Sequence, residues 1–149
     1  MAVNSSIGGT LSVVASTPAT EDESGYEALS FIEVENVISV GEFGDNSEDI
    51  TFNLLKSGRT SHVNGVRDLG EIAVSCAYDD QNNTGIELVN TNANTDTVMS
   101  WKLVDTNGAT SYWQGRAANY RQTERTASSF EGRNFVIRGT SGVTEVAAP

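Results

Sequence analysis

The chain has 149 residues, 20 acids, nine lysines and arginines, one histidine, one cysteine and a formal net charge of -11. That length buries roughly 68 to 70% of the unfolded surface, so a single self-supporting domain over 1–149 is expected. A lone cysteine excludes an internal disulfide, a lone histidine with no second thiol or imidazole excludes a zinc set, and no apolar run reaches the roughly 18 residues of a membrane helix. No basic segment precedes a hydrophobic one, so no signal peptide is expected, and the sequence predicts a protein made in a cytoplasm or assembled there. The charge is segregated: residues 1–55 contain ten acids and no lysine or arginine, and thus carry -10 of the -11.

In chain order, Leu11, Val13 and Ala15 alternate with small or polar neighbours and predict a half-buried strand after a flexible arm over 1–8. Ile32, Val34, Ile38 and Val40 repeat the pattern with Asn36 as an interruption. They predict a second strand whose other face sets Glu33, Glu35 and Ser39 on a solvated surface. Gly41 to Asp49 turns the chain and Ile50, Phe52 and Leu54 form a third short strand. Lys56 to Val66, with Ser57, Gly58, Thr60, Ser61, Asn64 and Gly65, has no apolar period and reads as a long loop or the tip of a hairpin.

Leu69 to Tyr78 is the clearest strand, with Ile72, Val74, Cys76 and Tyr78 on the core face and Glu71, Ala73, Ser75 and Ala77 opposite. Thr84 followed by Glu87 has capping-box spacing, and Ile86, Val89 and Ala93 share one side, which predicts one helix of about ten residues. Val98 to Val104 returns to strand, with Met99, Trp101 and Leu103 inward. Asn107-Gly108 predicts a hairpin, and Tyr112 to Tyr120 and Asn134 to Arg138 complete the sheet. The expectation is a mainly β chain, closed as a sandwich or barrel, with one short α-helix and a flexible tail over 143–149.

Little of this carries chemistry. Asp79 and Asp80 are followed by Gln81, Asn82 and Asn83, which lack the alternating oxygen ligands and closing acid of a calcium loop. Ser61 and His62 are neighbours on one segment, without the positioning that a nucleophile and its base require. Arg116, Arg121, Arg125, Arg133 and Arg138, with Tyr112, Trp113 and Tyr120 among them, could form a single-strand nucleic-acid platform. The net charge opposes phosphate attraction, and arginines on a sheet also serve as partners for the acids of a neighbouring subunit. No cofactor, metal or enzymatic role is expected.

The order of segments is more telling than any one motif. Gly9-Thr10-Leu11-Ser12-Val13, Thr17-Pro18-Ala19-Thr20 and the run from Gly25 to Val34 resemble the start of the tail tube proteins (major tail proteins) of long-tailed, non-contractile, siphovirus-type bacteriophages. Val37 to Gly41, Asp49-Ile50-Thr51 with Arg59, and Arg67-Asp68-Leu69-Gly70-Glu71-Ile72 leading to Tyr78-Asp79-Asp80 follow in the family's order. The resemblance covers about residues 8 to 142. It departs at Leu69, where proline is common, and over Thr123 to Arg133, which is more polar than the family's alternating strand.

This resemblance implies a tail tube fold, a small β-sandwich flanked by a helix, in hexameric rings stacked into the conduit for double-stranded DNA ejection. The implied partners are further copies of the chain, other tail components and DNA that slides past without specific binding. No membrane is involved, and the implied location is the virion tail, assembled in the host bacterial cytoplasm. Acids repel DNA where basic groups would bind it through counterion release, so Glu33, Glu35 and Glu71 are the expected bore-lining residues. Lys56, Arg59, His62, Arg116, Arg121 and Arg138 are the expected inter-subunit contacts. Two other readings stay open: a ring-forming tube protein of a contractile tail or secretion apparatus, and a carbohydrate-binding β-sandwich.

Overall fold

A computed structural model describes residues 3–149. The first strand, β1 (Thr10–Val14), is followed by a short helix, α1 (Glu23–Glu27), and then by β2 (Ile32–Glu33) and β3 (Val37–Val40). After β4 (Asn46–Asn53), β5 (Thr60–Asp68) and β6 (Glu71–Ala77) comes the longer helix α2 (Thr84–Thr95). The chain finishes with β7 (Val98–Val104), β8 (Thr110–Gln122), β9 (Gly132–Gly139) and β10 (Thr144–Val146). The mainly β expectation holds.

The main sheet is antiparallel and has the order β2-β1-β7-β8-β9-β6-β3, with β10 added to β8. Its two edge strands, β2 and β3, are joined by only Val34, Glu35 and Asn36, so the sheet must curl until its edges meet. The strand expected over Ile32 to Val40 is thus one bent crossing piece. Its first half pairs with β1 (Ser12 opposite Glu33) and its second with β6 (Val40 opposite Val74), with Asn36 at φ 54° between them. Asparagine tolerates that left-handed conformation better than most side chains, which explains the polar interruption in the pattern.

The curled sheet encloses one core. Trp101, Trp113, Phe135, Leu11, Ile72, Met99 and Ile137 are all fully buried. Opposite residues in an antiparallel pair share a face, and here the interior positions line up across strands: Val13 with Trp101, Trp101 with Trp113, and Ala117 with Ile137. Trp101 donates its ring N–H to the Gly115 carbonyl at 3.1 Å and stacks on Phe135 at 5.9 Å. Each such side chain stabilises the fold by roughly 1.5 to 3 kcal/mol through burial alone.

Two helices cover the barrel where one was expected. The second, α1, is only five residues long and carries Tyr26 onto Tyr112 with ring centroids 5.0 Å apart. Its N-cap Asp22 accepts from the Gly25 N–H at 2.8 Å, which holds the Asp22 carboxyl below the usual carboxylate range. Five residues give no readable period, and this helix had no sequence signal beyond its cap. On α2 the expected capping box does not form. The cap is Asn83, whose side chain makes no capping bond, and Glu87 instead accepts from the Tyr78 hydroxyl at 3.2 Å.

The largest difference lies at 46–68. The segment Lys56 to Val66, read as a loop or hairpin tip, is for the most part the return strand of a long hairpin. Only Leu54 to Arg59 turns, closed by the Leu54 N–H to the Arg59 carbonyl at 2.8 Å and the Gly58 N–H to Leu54 at 2.8 Å. β4 and β5 pair only with each other, as a two-stranded sheet separate from the barrel. The hairpin is an arm.

Candidate assembly surfaces

The arm has two unlike faces. Ile50 lies opposite Val63 and Phe52 opposite Ser61, while Thr51 lies opposite His62 and Asn53 opposite Thr60. Alternation therefore puts Ile50, Phe52 and Val63 on one side and Asp49, Thr51, Asn53, Thr60 and His62 on the other. The apolar trio stays 44 to 47% exposed, and Leu55 at the tip is fully exposed. Gly65 also belongs to the apolar side: a Cβ there would stand 2.8 Å from Ile50 Cδ1 and 3.4 Å from Glu48 Cβ. Glu48 thus extends the row of Ile50 and Phe52. On the polar side, His62 Nδ1 meets Asp49 at 3.0 Å.

A paired two-stranded ribbon with an uncovered apolar face and two open edges is a surface that natural proteins cover. Sequence reasoning placed Lys56, Arg59 and His62 on this segment. Lys56 and Arg59 are exposed at its turn, and His62 is tied to Asp49 along the ribbon. It missed that the apolar residues Ile50, Phe52 and Val63 would share a face that the subunit does not bury.

A second surface lies on the outside of β6, β9 and β8. Strand pairing stacks it in rows: Glu71, Arg138 and Arg116; then Ala73, Val136 and Ala118; then Ser75, Asn134 and Arg121. A bulge between Ala118 and Arg121, with Asn119 at φ 55°, restores Arg121 to the outer face. Arg138 Nε donates to Glu71 at 2.9 Å, and Arg116 lies 3.6 Å from Asp96. The two arginines stand directly opposite each other on neighbouring strands, an arrangement that repels unless negative charge is near. Arg121 has no ion pair among the described residues, and the shallow depression beside it is lined only by residues of the sheet and its bulge.

The three acids expected in a bore are not brought together. Glu33 is exposed on β2. Glu35 points both carboxylate oxygens at the Gly85 N–H, 3.2 and 3.3 Å away, and so occupies the positive end of α2 instead of standing free beside Glu33. Gly85 permits this closeness, because a Cβ there would sit 2.3 Å from the Glu33 carbonyl oxygen. Glu71 lies at the far end of β6 from Ala77, whose N–H bonds Asn36, and is paired with Arg138. The strand ends at Glu33 and the chain turns at Glu35 and Asn36, so Glu33 and Glu35 do not share the one continuous strand face that the sequence pattern predicts.

Other titratable groups serve the fold. The Cys76 thiol is buried, and burial with the nearby Glu35 charge pushes its pKa up to about 12, which makes it inert. Burial, with Glu87 beside it, raises Tyr120. Arg133 is buried with its guanidinium 3.9 Å over the Tyr78 ring. Among the described residues no cluster of metal-ligating side chains occurs and no helix is long and apolar enough to cross a membrane.

No family model matches the chain, and no curated protein matches it in sequence. Solved structures do. A chain of the sheath/tube terminator of an extracellular contractile injection system, in its extended state, superposes with a TM-score of 0.67 at 10% identity, covering 99% of both chains. A chain from the tail of an empty gene transfer agent particle of C6 symmetry gives 0.66 at 12% identity, over 82% of this chain and 90% of that one. A chain of the sheath-tube complex of an extracellular contractile injection system gives 0.61 at 12% identity, over 93% and 88%. The fold is the tail-tube fold. At such identities the likeness concerns the fold alone, and the arm and the arginine rows must be argued from this chain's own residues.

Proposed function

We propose that this chain is the repeating subunit of a phage-like tube, forming hexameric rings that stack with other tail components. The observation that carries the reading is the arm, whose Ile50, Phe52 and Val63 are arranged to be covered yet find no cover in their own subunit. The fold supports it, since the similar chains belong to tail and injection-system assemblies, one with C6 symmetry. Contractile injection particles recur among those structures, which favours a tube of that type. The segment order from Gly9 to Asp80 and the gene transfer agent tail favour a second reading, the DNA conduit of a long-tailed, non-contractile virion. In that reading the exposed Glu33 faces the bore and repels DNA, while Glu35 and Glu71 serve the subunit through Gly85 and Arg138.

Replacing Asn46 to Asp68 by a short Gly-Ser linker tests the shared core of both readings. The expected product is a folded monomer by circular dichroism that forms no tubes under the microscope, where the intact chain forms tubes of uniform bore. Tubes from the shortened chain would remove the arm from the assembly. Intact particles decide between the readings: a bore filled with DNA supports the virion conduit, and an empty tube inside a sheath supports the contractile type.

A further inference from the structure

The tube reading leaves open what receives the arm, and the two surfaces described above answer each other in register. We propose that the arm of one copy lies across the outer face of β6, β9 and β8 of a second copy. Its row Glu48, Ile50, Phe52 then sits over the rows Arg138/Arg116, Val136/Ala118 and Asn134/Arg121. The inference rests on the tube reading and goes beyond it by naming the receiving surface and its pairing.

Three observations carry it. The first is chemical order. Going along the arm, the apolar side presents an acid, an aliphatic side chain and an aromatic ring at every second residue. Going along β9, the outer side presents paired cations, small apolar groups, and an amide beside a third arginine, also at every second residue. Both repeats are about 6.6 Å, so strands packed nearly parallel keep all three matches at once.

The second observation is shape. The middle row of the receiving face is Ala73, Val136 and Ala118, which leaves room above the sheet for Ile50 and Val63. Bulky side chains on one sheet over small ones on the other fill the interlayer space without overpacking.

The third is charge. Arg116 and Arg138 face each other across a strand pair, and each is engaged at one end only, by Asp96 and by Glu71. Each keeps guanidinium donors that its acid does not take, and a carboxylate from above would accept from them and offset the repulsion between the two. Arg121 under Phe52 adds a cation against an aromatic face. The chain's own acids nearly balance this patch, Glu71 and Asp96 against three arginines, which suits one incoming carboxylate better than a polyanion. The contact is head-to-tail, so repeated rotation closes it into a ring or continues it along a helix.

A charge exchange tests the pairing. Glu48→Arg, and separately the double variant Arg116→Glu with Arg138→Glu, should each remain folded and lose tube formation by at least tenfold in light scattering. Mixed in equal amounts, the two variants restore opposite charge across the proposed contact, arginine on glutamates and glutamate on arginines, and tubes should return. The triple variant in one chain should assemble alone. Single variants that assemble like the unaltered chain, or folded mixtures that stay monomeric, overturn the pairing while leaving the tube reading intact. An unaltered chain that stays monomeric at every concentration and salt overturns both. Retention of duplex DNA at low salt, lost in the Arg116/Arg138 variant, would assign the arginines to nucleic acid and overturn the inference.

Discussion

The barrel and the arm are built by the same rule and end in opposite states. In both, apolar residues alternate along antiparallel strands. In the barrel Val13, Trp101, Trp113 and Ile137 vanish from solvent, whereas on the arm Ile50, Phe52 and Val63 keep nearly half their surface. The barrel's strands curl until β2 and β3 meet, so its apolar face closes on itself. The arm has two strands, too few to curl or to be stable alone without a covering layer. Alternation thus says that a face will be covered and is silent on whether the cover belongs to the same molecule.

The sharpest way to break this contrast is to truncate one aromatic residue in each region. Trp101→Ala should lower the subunit's unfolding free energy by about 3 to 5 kcal/mol in denaturant titration, through lost burial and the cavity left behind. Phe52→Ala should leave that titration within about 0.5 kcal/mol and instead raise the concentration at which tubes appear. If Phe52→Ala destabilised the isolated subunit as strongly as Trp101→Ala, the arm would be part of the core.

A smaller effect tests the clasp where the barrel closes. Glu35→Gln removes the negative charge at the start of α2 and should cost about 0.5 to 1 kcal/mol, seen as a lower melting temperature whose deficit shrinks at high salt. The same change at Glu33, whose carboxylate has no hydrogen-bond partner among the described residues, should be nearly silent.

Acid and alkali refine the picture further. The folded Cys76 pKa of about 12 lies above the ordinary 9.0, so the unfolded chain loses this proton first. Its contribution is fully present below pH 9 and is lost as pH rises toward 12. The melting temperature of the natural chain should therefore fall more steeply from pH 9 to 11 than that of Cys76→Ala. Asp22 works in the other sense. Its folded pKa is depressed below 3.8 by the Gly25 N–H, so its contribution is present above that value and disappears as pH falls through the folded one. Fluorescence of Tyr26, packed beside this cap, should report that loss in a titration below pH 4, and Asp22→Ala should abolish the transition.

Much of the barrel was legible because its strands obey the two-residue period over a closed interior. Ile72, Val74 and Cys76 on one face, and Met99 and Trp101 on another, are core residues as read. What could not be read depended on three-dimensional neighbours. Asn36 looked like a flaw in one strand and is the corner that lets the same segment serve both sheet edges. Glu35 looked like a solvated partner of Glu33 until α2 arrived beside it from 50 residues away. Lys56 to Val66 lacked an apolar period because its ribbon is solvated on both sides in the subunit, so polar residues and Gly65 occur where a core strand would carry valine. Arg116, Arg121 and Arg138 stood out as basic residues, but their common face follows from strand register and one bulge, neither of which is local information.

The route by which the barrel closes also orders events in time. β1 meets β7 with Thr10 opposite Val104, and β6 meets β9 with Glu71 opposite Arg138, so neither pairing can begin until most of the chain has left the ribosome. β4 and β5 are separated only by a short turn, and contacts so local form orders of magnitude sooner than distant ones. During synthesis the two halves of the ribbon can therefore meet before the body that displays them is complete, although two strands alone hold together only marginally. Ten acids and no basic residue in the first 55 positions give that emerging segment a strong like charge, and net charge of one sign opposes association between copies.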